Sequence, residues 1–232
     1  MSENIVILTG AGISAESGLP TFRDSNGLWE NHSVEDVATP EAFARNPDLV
    51  HRFYNLRRAA LKNVQPNAAH QALAELKRNY PGEVTLVTQN VDDLHERGGS
   101  AEVLHMHGEL LKIRCEACGD VRFWNEDLGR TVACQGCQKA GNLRPHIVWF
   151  GEMPFLMGEI DQALEKCTLF VSIGTSGNVY PAAGFVETAK AHGARCVEFN
   201  LEPTGISRSF DQHIIGPASV KVPIWVQDLS SR

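Results

Sequence analysis

The chain of 232 residues lacks several features that would each point to a particular partner. It has no basic excess. Its 21 Lys and Arg stand against 28 Asp and Glu, a formal net charge of −7, whereas binders of phosphate backbones carry a cationic surplus or stripe. It has no apolar run of the roughly 18 residues that a membrane helix needs. No basic segment precedes the first apolar run at Ile5, so no secretory leader is expected. Repeats and low-complexity tracts are missing too. These absences predict a cytoplasmic protein with no nucleic-acid or membrane partner; a monomer is the expected state, though no residue pattern argues for it. What is present is an ordinary globular composition, 43% hydrophobic and 21% charged, and enough length for one large core.

Ile5-Val6-Ile7-Leu8-Thr9 is a short, β-branched apolar run closed by Gly10, which reads as a buried strand. Similar runs occupy 84–88, 147–150, 169–173 and 196–199, with Val220-Lys221-Val222 a further candidate. Helix-period stretches separate them. The stretch 70–78 sets Ala69, Leu73 and Leu76 on one face, and 160–166 and 181–192 are alike. Strands apolar on both faces, alternating with helices, predict a parallel sheet covered on both sides. Residues 29–66 look helical with no obvious strand. Residues 110–143 carry four of the six cysteines. Both read as insertions that build a smaller lobe. The expected fold is α/β: a Rossmann-like parallel sheet (about 1–28, 67–109 and 144–232), with a smaller lobe made of a helical insertion (about 29–66) and a zinc ribbon (about 110–143), all in one domain.

The first strand runs into Gly10-Ala11-Gly12-Ile13-Ser14-Ala15, a G-x-G-x-x-A turn of the dinucleotide-binding type. Gly10 would permit the tight turn, Gly12 the approach of a pyrophosphate, and Ala15 close helix packing. The acidic residue that should close a second strand about 20 positions on is missing. A turn-rich loop with Phe22 and Arg23 stands there instead, and Glu202 after a later strand is an alternative ribose ligand. Cys115-x-x-Cys118 and Cys134-x-x-Cys137 have the spacing of a four-cysteine zinc site, closed to water and therefore structural. Cys167 and Cys196 read as small buried hydrophobes. Asn90 and Asp92 follow the 84–88 strand, where they could hold a carboxamide or cap the next helix. His105 and His107, two apart, would share a face if they lay on one strand. Histidine suits a general base near neutral pH. Gly174-Thr175-Ser176 follows another strand, with donors suited to ribose or phosphate.

Taken in order, the Gly10–Ser14 turn, Gly18-Leu19-Pro20-x-Phe22-Arg23, Thr88 to His95, His107-Gly108, the cysteine quartet, Arg144 to Glu152 and Gly174-Thr175-Ser176 resemble the sirtuins over almost the whole chain. Tyr54-x-x-Arg57 resembles the bacterial class III deacylases. The resemblance implies NAD+-consuming removal of acyl groups from protein lysines, releasing nicotinamide and 2′-O-acyl-ADP-ribose, with one structural Zn2+. It implies NAD+ contacts from Gly10, Ala11, Gly12, Ile13, Ser14, Ala15, Pro20, Phe22, Arg23, Trp29, Gln89, Asn90, Val91, Asp92, Gly174, Thr175, Ser176, Asn200, Leu201, Glu202 and Ala218. His107 is the implied general base, with Asn90 also catalytic. Tyr54 and Arg57 are the implied receptors of a succinyl or malonyl carboxylate, and Ala38 leaves room for the longer acyl chain. Arg58 should point about 100° away. Val148 and Phe150 belong to an implied edge for the extended substrate peptide. The alternative on the same scaffold is an NAD-dependent protein ADP-ribosyltransferase.

Overall fold

The computed structural model describes residues 3–20, the backbone of 28–29, and residues 32–230. In chain order, β1 (Ile5–Thr9) leads to α1 (Ala11–Ala15), a hairpin of β2 (Leu28–Trp29) and β3 (His32–Ser33), and helices α2 (Val34–Val37), α3 (Pro40–Arg45), α4 (Pro47–Leu61) and α5 (Ala68–Asn79). There follow β4 (Val84–Thr88), α6 (Leu94–Arg97), β5 (Val103–His105), β6 (Gly108–Cys115), β7 (Val121–Phe123), β8 (Leu143–Ile147), α7 (Met157–Lys166), β9 (Leu169–Ile173), α8 (Phe185–Ala191), β10 (Arg195–Asn200), β11 (Gln212–Ile215) and α9 (Ala218–Ser230).

Strand pleating sets the layers. Ile5 and Ile7 pack on one face of the sheet with Leu73 and Leu76 of α5 and Val222 and Val226 of α9. Val6 and Leu8 pack on the other with Ile160 and Leu164 of α7 and Phe185 and Val186 of α8. The sheet is parallel throughout, in the order β11-β10-β9-β1-β4-β5. The chain moves outward from β1 through β4 to β5, then restarts at β9 on the other side of β1. The carboxyl ends of β1 and β9 therefore flank a crevice where strand order reverses, the usual ligand position in such sheets.

The smaller lobe has two parts. Thr39 and Asn46 accept hydrogen bonds from the Ala42 and Leu49 amides, each just before a proline, and so start α3 and α4. These helices bury Val50, Phe53 and Tyr54 against Leu110, Ile147 and Trp149. Antiparallel strands β7-β6-β8 carry the cysteine module on its own core of Ile113, Leu128 and Leu143. Arg58, fully buried, donates from Nε to the Leu110 carbonyl and from Nη1 to that of Glu126. It joins the helices to the module.

Three expectations are corrected. Val220-Lys221-Val222 lies in α9, not in a strand; Val222 continues with Val226 and Leu229 as a buried helical stripe. The 147–150 run stops as a strand at Ile147 and turns at Phe150. The segment 29–66 is not free of strands, since it completes the short β2–β3 hairpin. Among the described residues, no helix is long and apolar enough to cross a membrane.

Candidate active site and zinc centre

At the crevice, two turns meet backbone to backbone. A Cβ on Gly10 would lie 2.8 Å from the Gly174 carbonyl oxygen, and one on Gly12 2.7 Å from the Gly174 Cα. Gly12 donates its amide to that same carbonyl at 2.8 Å. Gly12 is therefore glycine because β1 and β9 end in contact, and its N–H is not directed at a phosphate as its motif suggests. Ile13 and Ser14 are buried behind the turn, Ala11 and Ala15 are half-buried, and Pro20 is exposed. Phe22, Arg23 and the side chain of Trp29 lie outside the described residues.

A buried polar cluster sits beside the turn, at the end of β4. Ser14 Oγ donates to Asp92 Oδ2 at 3.0 Å and accepts from Asn90 Nδ2 at 3.1 Å. Asp92 Oδ1 also accepts the Leu94 amide at the start of α6. Burial raises the Asp92 pKa against these hydrogen bonds. Thr9 donates to Thr88, whose hydroxyl accepts the Asn90 amide. Gln89 Nε2 is buried without a hydrogen-bond partner among the described residues, and Val91 is half-buried. A cradle closed to any Cβ, with an orphaned amide donor and a fixed Ser–Asn–Asp group, fits a dinucleotide carrying a carboxamide.

The two histidines are separated by a turn and do not share a strand face, because β5 ends at His105. His105 pairs with Glu96 at 2.7 Å; burial opposes its protonation, but the Glu96 bond and charge raise its pKa overall. His107 instead places Nδ1 3.0 Å from the Gln89 carbonyl. A carbonyl only accepts, so Nδ1 carries the proton there and Nε2 keeps its lone pair. Burial lowers the His107 pKa, with the carbonyl bond opposing. The result is a neutral, oriented base.

The structure brings Tyr54 and Arg57 together on α4. Tyr54 is fully buried, and burial pushes its hydroxyl up to about 12 while the Arg57 charge works the other way. Arg57 lies over the Phe53 ring, 5.7 Å from its centroid. Ala38 is buried in the same cluster. Val148 and Phe150 use their amides internally, on the carbonyls of His107 and Ala38 at 2.9 and 3.0 Å. That removes two donors from the expected peptide edge. Two residues that sequence reasoning did not weigh singly complete this wall: Trp149, whose Nε1 donates to Tyr54 Oη, and Arg144, which stacks on Trp149.

On the far side of the crevice, Thr175 is buried and Ser176 half-buried. Asn200 Nδ2 donates to the Thr175 carbonyl and to Glu198 Oε1, both at 3.0 Å. Leu201 and Glu202 are exposed, and the buried Ala218 opens α9. Glu198, a buried carboxylate also contacted by Thr204, Ser207 and His213, is the anchor that the sequence did not reveal. An isolated acid in an apolar strand was its only signal.

The four cysteine sulfurs lie within 4.8 Å of one another. Thiolates about 2.3 Å from a tetrahedral Zn2+ stand roughly 3.8 Å apart. The Cys115–Cys137 and Cys118–Cys134 pairs are 3.8 and 3.7 Å apart, so the quartet fits that ion. Burial pushes the Cys167 and Cys196 thiols up to about 11 and about 12, which keeps both protonated.

Residues 10–181 match the profile described as Sir2 family. The NAD-dependent protein deacylase SIR2rp3 of Trypanosoma brucei brucei (strain 927/4 GUTat10.1) is 60% identical over 229 residues, covering 97% of this chain and 94% of that protein. The NAD-dependent protein deacylase of Vibrio vulnificus (strain YJ016) is 59% identical over 228 residues, covering 97% and 93%. Among solved structures, a Sir2 homologue in complex with NAD superposes with a TM-score of 0.89 at 38% identity, over 98% of this chain and 89% of that one. Sir2Af2 bound to a myristoylated histone peptide gives 0.76 at 34% identity, over 98% and 91%. With most of its length matched by the family profile and nearly all of it by relatives at such identity, this chain belongs to the Sir2 family.

Proposed function

We propose that this chain, an NAD-dependent protein-lysine deacylase, uses His107 as its general base and Tyr54 with Arg57 as the receptor of an acidic acyl chain. The observation that carries the reading is the Gln89 carbonyl on His107 Nδ1, which presents the Nε2 lone pair. NAD+ supplies, when its bond to nicotinamide breaks, an electrophilic ribose carbon for the acyl oxygen of the lysine amide. Asn90 and Asp92, locked by Ser14, would hold the nicotinamide carboxamide. His107 Nε2 would take the proton of a ribose hydroxyl. Asn200 and Thr175, tied to each other, would face the adenosine end, and the Gly10–Ala15 and Gly174–Ser176 turns the pyrophosphate.

The acyl preference follows from charge. Arg57 can offer two N–H donors to a succinyl or malonyl carboxylate. Tyr54, with its pKa at about 12, remains an O–H donor at neutral pH. Acetyl-lysine needs neither. Peptides bearing acetyl-, succinyl- or malonyl-lysine, incubated with NAD+ while nicotinamide is followed, test this. Arg57→Met should lower the succinyl-to-acetyl ratio of kcat/KM about ten- to hundredfold, the worth of a charged hydrogen bond. Equal losses on both substrates would contradict the carboxylate receptor.

A further inference from the structure

The Tyr54 hydroxyl is oriented from behind by a residue that no step of the reaction uses. Trp149 is 2% exposed, and its Nε1 donates to Tyr54 Oη at 2.9 Å. An indole N–H can only donate. The phenol oxygen must accept there, so the Tyr54 O–H proton points away from the indole. The indole is itself clamped. The Arg144 guanidinium lies 3.2 Å from its ring centroid, and Phe43 packs against it at 5.3 Å. Arg144 is held by Glu152 in a two-point pair, 2.7 Å to Oε1 and 2.9 Å to Oε2, and Glu152 also accepts the Trp149 amide at 2.8 Å. A cation on the face of an indole withdraws electron density and makes its N–H a stronger donor.

From this arrangement we infer that Trp149 is a positioning residue for acyl-chain selection, setting the Tyr54 hydroxyl as a donor for the carboxylate of an acidic acyl-lysine. The inference rests on the proposed role of Tyr54 and Arg57. It differs from a packing role in what it predicts. Packing alone would hurt all substrates alike, whereas an oriented donor matters only to an acyl group with an acceptor at its end.

Trp149→Phe keeps a ring for Arg144 and removes the N–H. Trp149→benzothienylalanine, with sulfur in place of the N–H, keeps the bicyclic shape as well and serves if the phenylalanine variant folds poorly. Both should lower the succinyl-to-acetyl ratio of kcat/KM about five- to tenfold, the range expected for one lost buried hydrogen bond. The loss should fall on KM for the succinyl peptide and not on kcat. In a Tyr54→Phe background the same changes should leave the ratio where Tyr54→Phe alone puts it. If Tyr54→Phe lowers the ratio but neither Trp149 replacement does, Trp149 only fills space and the inference fails while the receptor stands. If Tyr54→Phe itself leaves the ratio unmoved, the receptor reading fails and takes the inference with it.

Discussion

At the scale of single residues, the site is a set of hydrogen bonds whose direction can be assigned. The Asn67 amide donates to His70 Nδ1 at 3.2 Å, which leaves His70 Nε2–H facing Ser14 Oγ at 3.4 Å. Burial lowers the His70 pKa to about 4, so the ring stays neutral. Ser14 passes its own proton toward Asp92, and Asn90 adds a second donor to the Ser14 oxygen. The same logic fits His107 to its proposed role as base. Because its pKa in the folded chain is below the ordinary 6.5, it is deprotonated at pH 7, and kcat should fall only as pH drops through that lowered value. A pH–rate profile with its acid limb above 6.5 would contradict the assignment. His107→Ala should cost about 10²–10⁴-fold in kcat with the melting temperature unchanged. Little of this wiring was legible in the sequence. Ser14 stands 56 positions from His70 and 78 from Asp92, and no local spacing announces such partners. The motif residues themselves were legible, because Gly, Asn, Asp and His at the ends of apolar strands break the local pattern.

At the scale of elements, the sheet was readable because its inner strands are apolar on both faces, as only parallel strands covered by two helix layers need be. Short runs misled where two periods coincide. Val220-Lys221-Val222 alternates like a strand, yet it belongs to a helix that buries Val222, Val226 and Leu229 and exposes Val220 and Ile224. The strand before Trp149 ends early because Glu152 and the Ala38 carbonyl capture the Trp149 and Phe150 amides. The cysteine module shows why an ion is needed. Its core has five buried residues, and two of them, Cys115 and Cys134, belong to the cysteine quartet. Such a core is too small to hold three short strands without metal. One zinc per chain is expected, and strong chelation should unfold the module, loosen the bonds that Asn55 makes to the Leu128 backbone and Arg58 to the Glu126 carbonyl, and abolish activity. Metal analysis of native protein showing no zinc would contradict this.

At the scale of the molecule, the crevice at the sheet's reversal point gathers the Gly10 and Gly174 turns, the Ser14–Asn90–Asp92 cluster and His107, while α4 places Tyr54 against Trp149 and Arg57 over Phe53 in the smaller lobe. The central claim is that this arrangement couples scission of NAD+ at its glycosidic bond to release of an acyl group from lysine. Mass spectrometry of the zinc-loaded protein with NAD+ and an acylated peptide tests it most directly. One nicotinamide should appear for each lysine freed, with the acyl group recovered on ADP-ribose. Nicotinamide release with the peptide still acylated and ADP-ribose attached to protein would contradict it.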